Sequence, residues 1–136
     1  MQSIRNPRCF LVYALAPEGF SPAEANRLLN AYVADERRGL AIFHDHFIGQ
    51  PGGVAVFFAE TAEQRAALAD PGPLEGWRVE VRPLIYSRSP SGFDEQVAYT
   101  LRAYRKADWE ELRLEQRPRY GDPAREAETA EEDVGE

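Results

Sequence analysis

From Leu40 to Glu60 the chain reads LAIFHDHFIGQPGGVAVFFAE. Leu40, Ile42, His44, His46 and Ile48 alternate with Ala41, Phe43, Asp45, Phe47 and Gly49. A period of two assigns each set to its own face of a strand, so His44 and His46 are expected to project the same way, with Asp45 opposite them. Gln50, Pro51, Gly52 and Gly53 form a turn, because Pro fixes φ near −65° and Gly accepts positive φ. Val54 to Ala59 returns as a second apolar strand, closing a hairpin.

The rest of the chain packs around that hairpin. Cys9 to Ala16 alternates with apolar residues on both faces, the mark of a central strand. Ser21-Pro22-Ala23-Glu24 combines a helix cap, Pro at the first helical position and Glu three residues after the cap. Ala25, Leu28, Leu29, Tyr32 and Val33 then recur at helical spacing, with Arg37, Arg38 and Gly39 suited to the helix end. Thr61-Ala62-Glu63-Gln64 repeats the capping pattern and opens a second helix, which Asp70-Pro71-Gly72-Pro73 ends. From Trp77 to Ile85, Trp77, Val79 and Val81 alternate with Arg78, Glu80 and Arg82, giving a fourth strand.

The predicted order is βαββαβ, the ferredoxin-like α+β pattern: a four-stranded antiparallel sheet with both helices on one face. The other face would be bare, and would carry Phe10, Val12, Phe43, Phe47 and Phe57 or their opposite-parity neighbours. A face that apolar calls for a partner, and a second copy closing a dimeric α/β barrel is the expected one. Phe93 to Lys106 reads as an extra C-terminal helix striped by Phe93, Val97, Leu101 and Tyr104, and Asp108 caps a short helix carrying Trp109 and Leu112. Residues 1–116 are read as a single domain with a helical arm. Residues 117–136 form an acidic tail too poor in bulky apolar residues to order itself.

At 136 residues the chain fits the usual ~100–200 residues of one domain. Its net charge of −7 opposes nucleic acid and anionic membrane surfaces as partners. No apolar run approaches the ~18–20 residues of a membrane span, and MQSIRNPR lacks the apolar stretch of a secretory signal, so a soluble cytoplasmic protein is expected. The single cysteine, Cys9, lies in an apolar strand and reads as a buried thiol.

The two histidines are the main candidates for chemistry. A partly desolvated imidazole titrates near working pH and serves as a general acid or base without a cofactor. A pair at i and i+2, ~6–7 Å apart at Cα, also suits metal chelation with a carboxylate such as Asp70 or Glu60, and one histidine alone suits haem ligation. The plainer alternative is a pair of hydrogen-bonded polar residues in a pocket wall or interface. Asp45 is expected to meet Arg78 or Arg82 across an interface, Tyr13 to offer a phenol at the rim of the core, and Gln50 to stand in the hairpin turn. There is no nucleophile triad, Cys/His cluster, phosphate loop or dinucleotide fingerprint.

From Phe10 to Tyr86, and most closely over GGVAVFFAETAEQRAALADPGPLEGWRVEVRPL, the chain resembles the dimeric α/β-barrel superfamily, which includes YCII-related proteins and antibiotic-biosynthesis monooxygenases. That resemblance implies the ferredoxin-like fold, a homodimer and a small-molecule pocket. It would make Asp70 the aspartate of a His-Asp pair. The YCII histidine lies in the first helix, where this chain has none, and both histidines here sit on the second strand. The resulting expectation is a cofactor-independent monooxygenase, isomerase or lyase-like enzyme acting on a small aromatic or cyclic molecule. His44 or His46 would move the proton, and Tyr13, Gln50 and Asp70 would orient the substrate. Its alternatives are a non-catalytic ligand-binding or assembly module, and a metal- or haem-dependent enzyme working through His44 and His46.

Overall fold

A computed structural model describes residues 7–115, so the expected acidic tail from 117 to 136 lies outside the described residues. Strand β1 (Arg8–Leu15) is followed by helix α1 (Pro22–Ala34), a 3-10 turn (Glu36–Arg38), β2 (Leu40–His46) and β3 (Gly52–Ala59). Then come α2 (Ala62–Ala69), a second 3-10 turn (Gly72–Leu74), β4 (Arg78–Pro83), α3 (Pro90–Arg105) and α4 (Trp109–Glu115). The strands form one four-stranded sheet in the order β2-β3-β1-β4, and every neighbouring pair is antiparallel. This is an α+β arrangement compatible with a ferredoxin-like fold.

Both capping boxes form. Ser21 Oγ accepts from the Glu24 N–H at 3.1 Å and Thr61 Oγ1 accepts from the Gln64 N–H at 3.1 Å, which starts α1 and α2 at the capping motifs. Helices α1 and α2 cover one side of the sheet. Ala25, Leu29 and Tyr32 of α1 and Leu68 of α2 join Phe10, Val12, Ala14, Ala55, Phe57 and Ala59 in the core, which Leu74 and Trp77 complete.

Residues opposite each other on antiparallel strands share a face, so the ladder assigns every side chain to a side. Phe10, Val12 and Ala14 lie opposite Phe57, Ala55 and Gly53 on β3 and opposite Pro83, Val81 and Val79 on β4. These face the helices. Cys9, Leu11, Tyr13 and Leu15 face the other way, beside Phe58, Val56, Val54 and Gly52 of β3, and β4 adds Arg82, Glu80 and Arg78 next to Leu11, Tyr13 and Leu15.

Strand β2 departs from plain alternation. Its register slips between Ala41 and Phe43, with Ala41 opposite Phe57 and Phe43 opposite Val56, so Ile42 is an extra residue in a bulge. The bulge breaks the expected grouping of Ile42 with the histidines. It also separates Phe43 from Phe10, Val12 and Phe57, with which simple parity had placed it. His44 and His46 pair with Ala55 and Gly53 on the helix side, while Phe43 and Asp45 pair with Val56 and Val54 on the other.

Helix α3 begins at a Ser89 cap, earlier than Phe93, and has no buried residue. Phe93, Gln96, Val97 and Leu101 form its half-buried stripe. Trp109 Nε1 donates to Asp94 Oδ1 at 3.0 Å and ties α4 back to α3. No described helix is long and apolar enough to cross a membrane.

Candidate functional site

Strand β2 is an edge strand, and α1 lies over its far end. Gly53, the ladder partner of His46, makes that approach feasible: a Cβ there would sit 2.6 Å from Leu29 Cδ2 and collide with the Asp45 carbonyl. With the helix this close, Asn30, the next residue of α1, reaches the strand, and its Oδ1 lies 3.1 Å from His46 Nε2. An amide oxygen only accepts, so Nε2 carries the proton and donates. The other ring nitrogen, Nδ1, is buried without a hydrogen-bond partner. His44 is exposed, and its ring stands 5.4 Å from that of His46, centre to centre, at 84°. Burial holds the His46 pKa below the ordinary imidazole value, the neighbouring His44 adds to the effect, and the Asp45 charge opposes it. Asp45 lies on the opposite face, where its Oδ1 accepts from the His46 backbone N–H at 2.8 Å.

The second region is the side of the sheet away from α1 and α2, where Cys9 and Val56 are buried but several large side chains are not. Tyr13 is 37% exposed, Phe43 46% and Leu40 55%, all on one face with the partly exposed Leu11, Leu15, Val54 and Phe58. Tyr13 and Phe47 pack with ring centres 5.4 Å apart. Along the β4 edge Glu80 is held between two arginines, with Arg78 Nε donating to its Oε2 at 3.0 Å and Arg82 Nη2 to its Oε1 at 3.3 Å. Leu11, Tyr13, Arg78, Glu80 and Arg82 line a shallow groove of about 340 Å³.

The residues expected to act together are thus divided. Tyr13 and the histidines occupy opposite faces of the sheet. Gln50 is exposed in the β2–β3 turn. Asp70 is the C-cap of α2; its carboxylate accepts from the Gly72 N–H at 3.1 Å and its carbonyl from Arg38 Nη2 at 2.9 Å.

Arg38, which the sequence suggested as a residue for the helix dipole, is instead fully buried. Helix α1 ends at Ala34, and the following 3-10 turn carries Arg38 inward. Its guanidinium donates to the carbonyls of Tyr32 at 3.1 Å, Ala67 at 3.1 Å and Asp70 at 2.9 Å, and lies 3.2 Å from the Asp35 carboxylate. One cation therefore serves the negative ends of both α1 and α2. Two adjacent arginines after a helix give no sequence signal that one of them is buried.

A second concavity, about 440 Å³, opens between α3 and α4 beside Trp109, Asp94, Arg102 and Lys106. Neither this cavity nor the groove on the sheet is lined by a histidine. Among the described residues no three His, Cys, Asp or Glu side chains gather as a metal cluster. No protein-family model matches the chain, and no curated protein matches it.

Proposed function

We propose that the protein is a homodimeric, ferredoxin-like α/β-barrel module that binds a small molecule on the sheet face turned away from α1 and α2. The observation that carries this reading is the set of large apolar side chains, Tyr13, Leu40 and Phe43, exposed together on one sheet face. A second copy laid against that face would bury them and would roof the groove under Tyr13, turning an open concavity into a chamber. Leu11 and the Tyr13 ring offer an apolar floor for an aromatic or cyclic body. Two arginines against one glutamate leave net positive charge at the rim, which suits a ligand bearing one negative group.

A binding role is preferred to proton transfer by His44 or His46 because neither ring lines either cavity. The test uses anilinonaphthalene sulfonate, an apolar ring system with one sulfonate. Saturable fluorescence enhancement that weakens in both Tyr13→Ala and Arg82→Gln supports the chamber. Enhancement unchanged by either substitution contradicts it.

A further inference from the structure

The His46 ring is held in a half-completed arrangement. Its Nε2–H is engaged by Asn30 Oδ1 at 3.1 Å, which fixes the tautomer and leaves the Nδ1 lone pair as an acceptor. That lone pair is buried with nothing to accept from. An enclosed acceptor left empty is uncommon, and a second imidazole, that of His44, stands 5.4 Å from this ring, centre to centre. A histidine that binds a metal through one nitrogen almost always donates its other N–H to an oxygen, the relation Asn30 has to His46.

The spacing of the rings agrees. Two imidazoles on one tetrahedral Zn2+, with Zn–N of ~2.0–2.1 Å, place their ring centres ~5 Å apart. Those of His44 and His46 are 5.4 Å apart and nearly perpendicular. Both project from the same face of an edge strand, His44 is exposed, and a net charge of −7 favours the approach of a cation.

We propose that His46, through Nδ1, and His44, through one ring nitrogen, are two protein ligands of a divalent cation of borderline softness, Zn2+ or Cu2+, with Asn30 orienting His46 from the second sphere. Water fills the remaining positions on the exposed side. Asp45 is not a ligand, since its carboxylate faces the other side of the sheet and is engaged by the His46 backbone N–H. The site is independent of the dimer and of the groove, which lie on the opposite face.

Calorimetric titration of the full chain with Zn2+ tests the assignment, with Cu2+ electron paramagnetic resonance as a second readout. The expected result is one Zn2+ per chain, lost in His44→Gln and in His46→Gln, and weakened ~10-fold or more in Asn30→Ala. Cu2+, which binds nitrogen ligands more tightly than Zn2+, should show hyperfine splitting from two imidazole nitrogens in the parent and from at most one in His44→Gln. Because His44 is exposed, that variant keeps the fold and isolates the ligand. Absence of saturable Zn2+ binding, or binding retained in both histidine variants, overturns the site. Unchanged affinity in Asn30→Ala overturns Nδ1 as the donor atom.

Discussion

The guanidinium of Arg38 lies 3.9 Å from the centre of the Tyr32 ring, and Tyr32 in turn donates its hydroxyl to the Leu68 carbonyl at 2.6 Å. Both residues are completely buried, so cation, ring and three carbonyl acceptors form one fastening between the ends of α1 and α2. Burial pushes the Tyr32 phenol pKa up, against the opposing pull of Arg38. Replacing the guanidinium leaves the carbonyls of Tyr32, Ala67 and Asp70 without this donor. Arg38→Met is therefore expected to lose about 3 kcal/mol or more in urea denaturation. Arg38→Lys should recover little of it, because a single ammonium cannot spread over the same acceptors.

Gly53 sets the distance between α1 and the hairpin. Gly53→Ala should cost about 1–3 kcal/mol, since the new methyl meets both Leu29 and the backbone of β2. It should also shift the His46 ring resonances by displacing Asn30. A variant as stable as the parent, with unshifted His46 signals, would show that this close approach is not needed.

Asp35 caps the first 3-10 turn and holds Arg37 through a salt bridge of 2.7 Å. Hydrogen bonds from the Arg37 side chain, then from its backbone N–H, hold the Asp35 carboxyl well below the usual carboxylate range. A carboxyl depressed in the folded state binds fewer protons there than in the unfolded chain. Its stabilisation is present above the unfolded pKa of ~3.9 and is lost as pH falls below it. Thermal melts between about pH 5 and pH 2 should fall more steeply for the parent than for Asp35→Asn. Parallel curves would remove Asp35 from the acid response.

Much of this architecture is legible in the sequence for local reasons. Ser21 and Thr61 announce their helices because a capping box is a four-residue event, and Ala25, Leu29 and Tyr32 reveal a buried stripe because helical period is local too. The bulge at Ile42 is not legible. It is a mismatch between two strands, and alternation within β2 alone carries no trace of it. For the same reason the side of the sheet taken by His44 and His46 depends on pairing rather than pattern. Arg38 shows the reverse limit, a charged residue made tolerable inside by acceptors up to 32 positions away. The separation of Tyr13 from the histidines follows from the ladder and was equally out of reach.

The charges on the sheet face away from α1 and α2 favour one arrangement of the proposed dimer. Asp45, Val54, Tyr13 and Glu80 lie in one row across the sheet, with Asp45 on the β2 edge and the Arg78–Glu80–Arg82 ladder on the β4 edge. A two-fold axis along the strands stacks the β2 edge of one copy on the β4 edge of the other and brings Asp45 over Glu80, whose charge is already matched by Arg78 and Arg82 on either side, so the carboxylate meets a ladder of net positive charge. Arg82→Glu should weaken self-association, and adding Asp45→Arg should restore part of it. Independent effects of the two changes in a double-mutant cycle would rule this arrangement out.

Sedimentation equilibrium of the parent chain and of Phe43→Asp tests the burial of this sheet face most directly. Phe43 is nearly half exposed, so a carboxylate there leaves the fold of one copy intact and obstructs a partner. The expected result at micromolar concentration is a mass about twice the 15.4 kDa of one chain for the parent and close to 15.4 kDa for Phe43→Asp. A parent that sediments as a single chain, or a Phe43→Asp variant that still sediments as a pair, would contradict it.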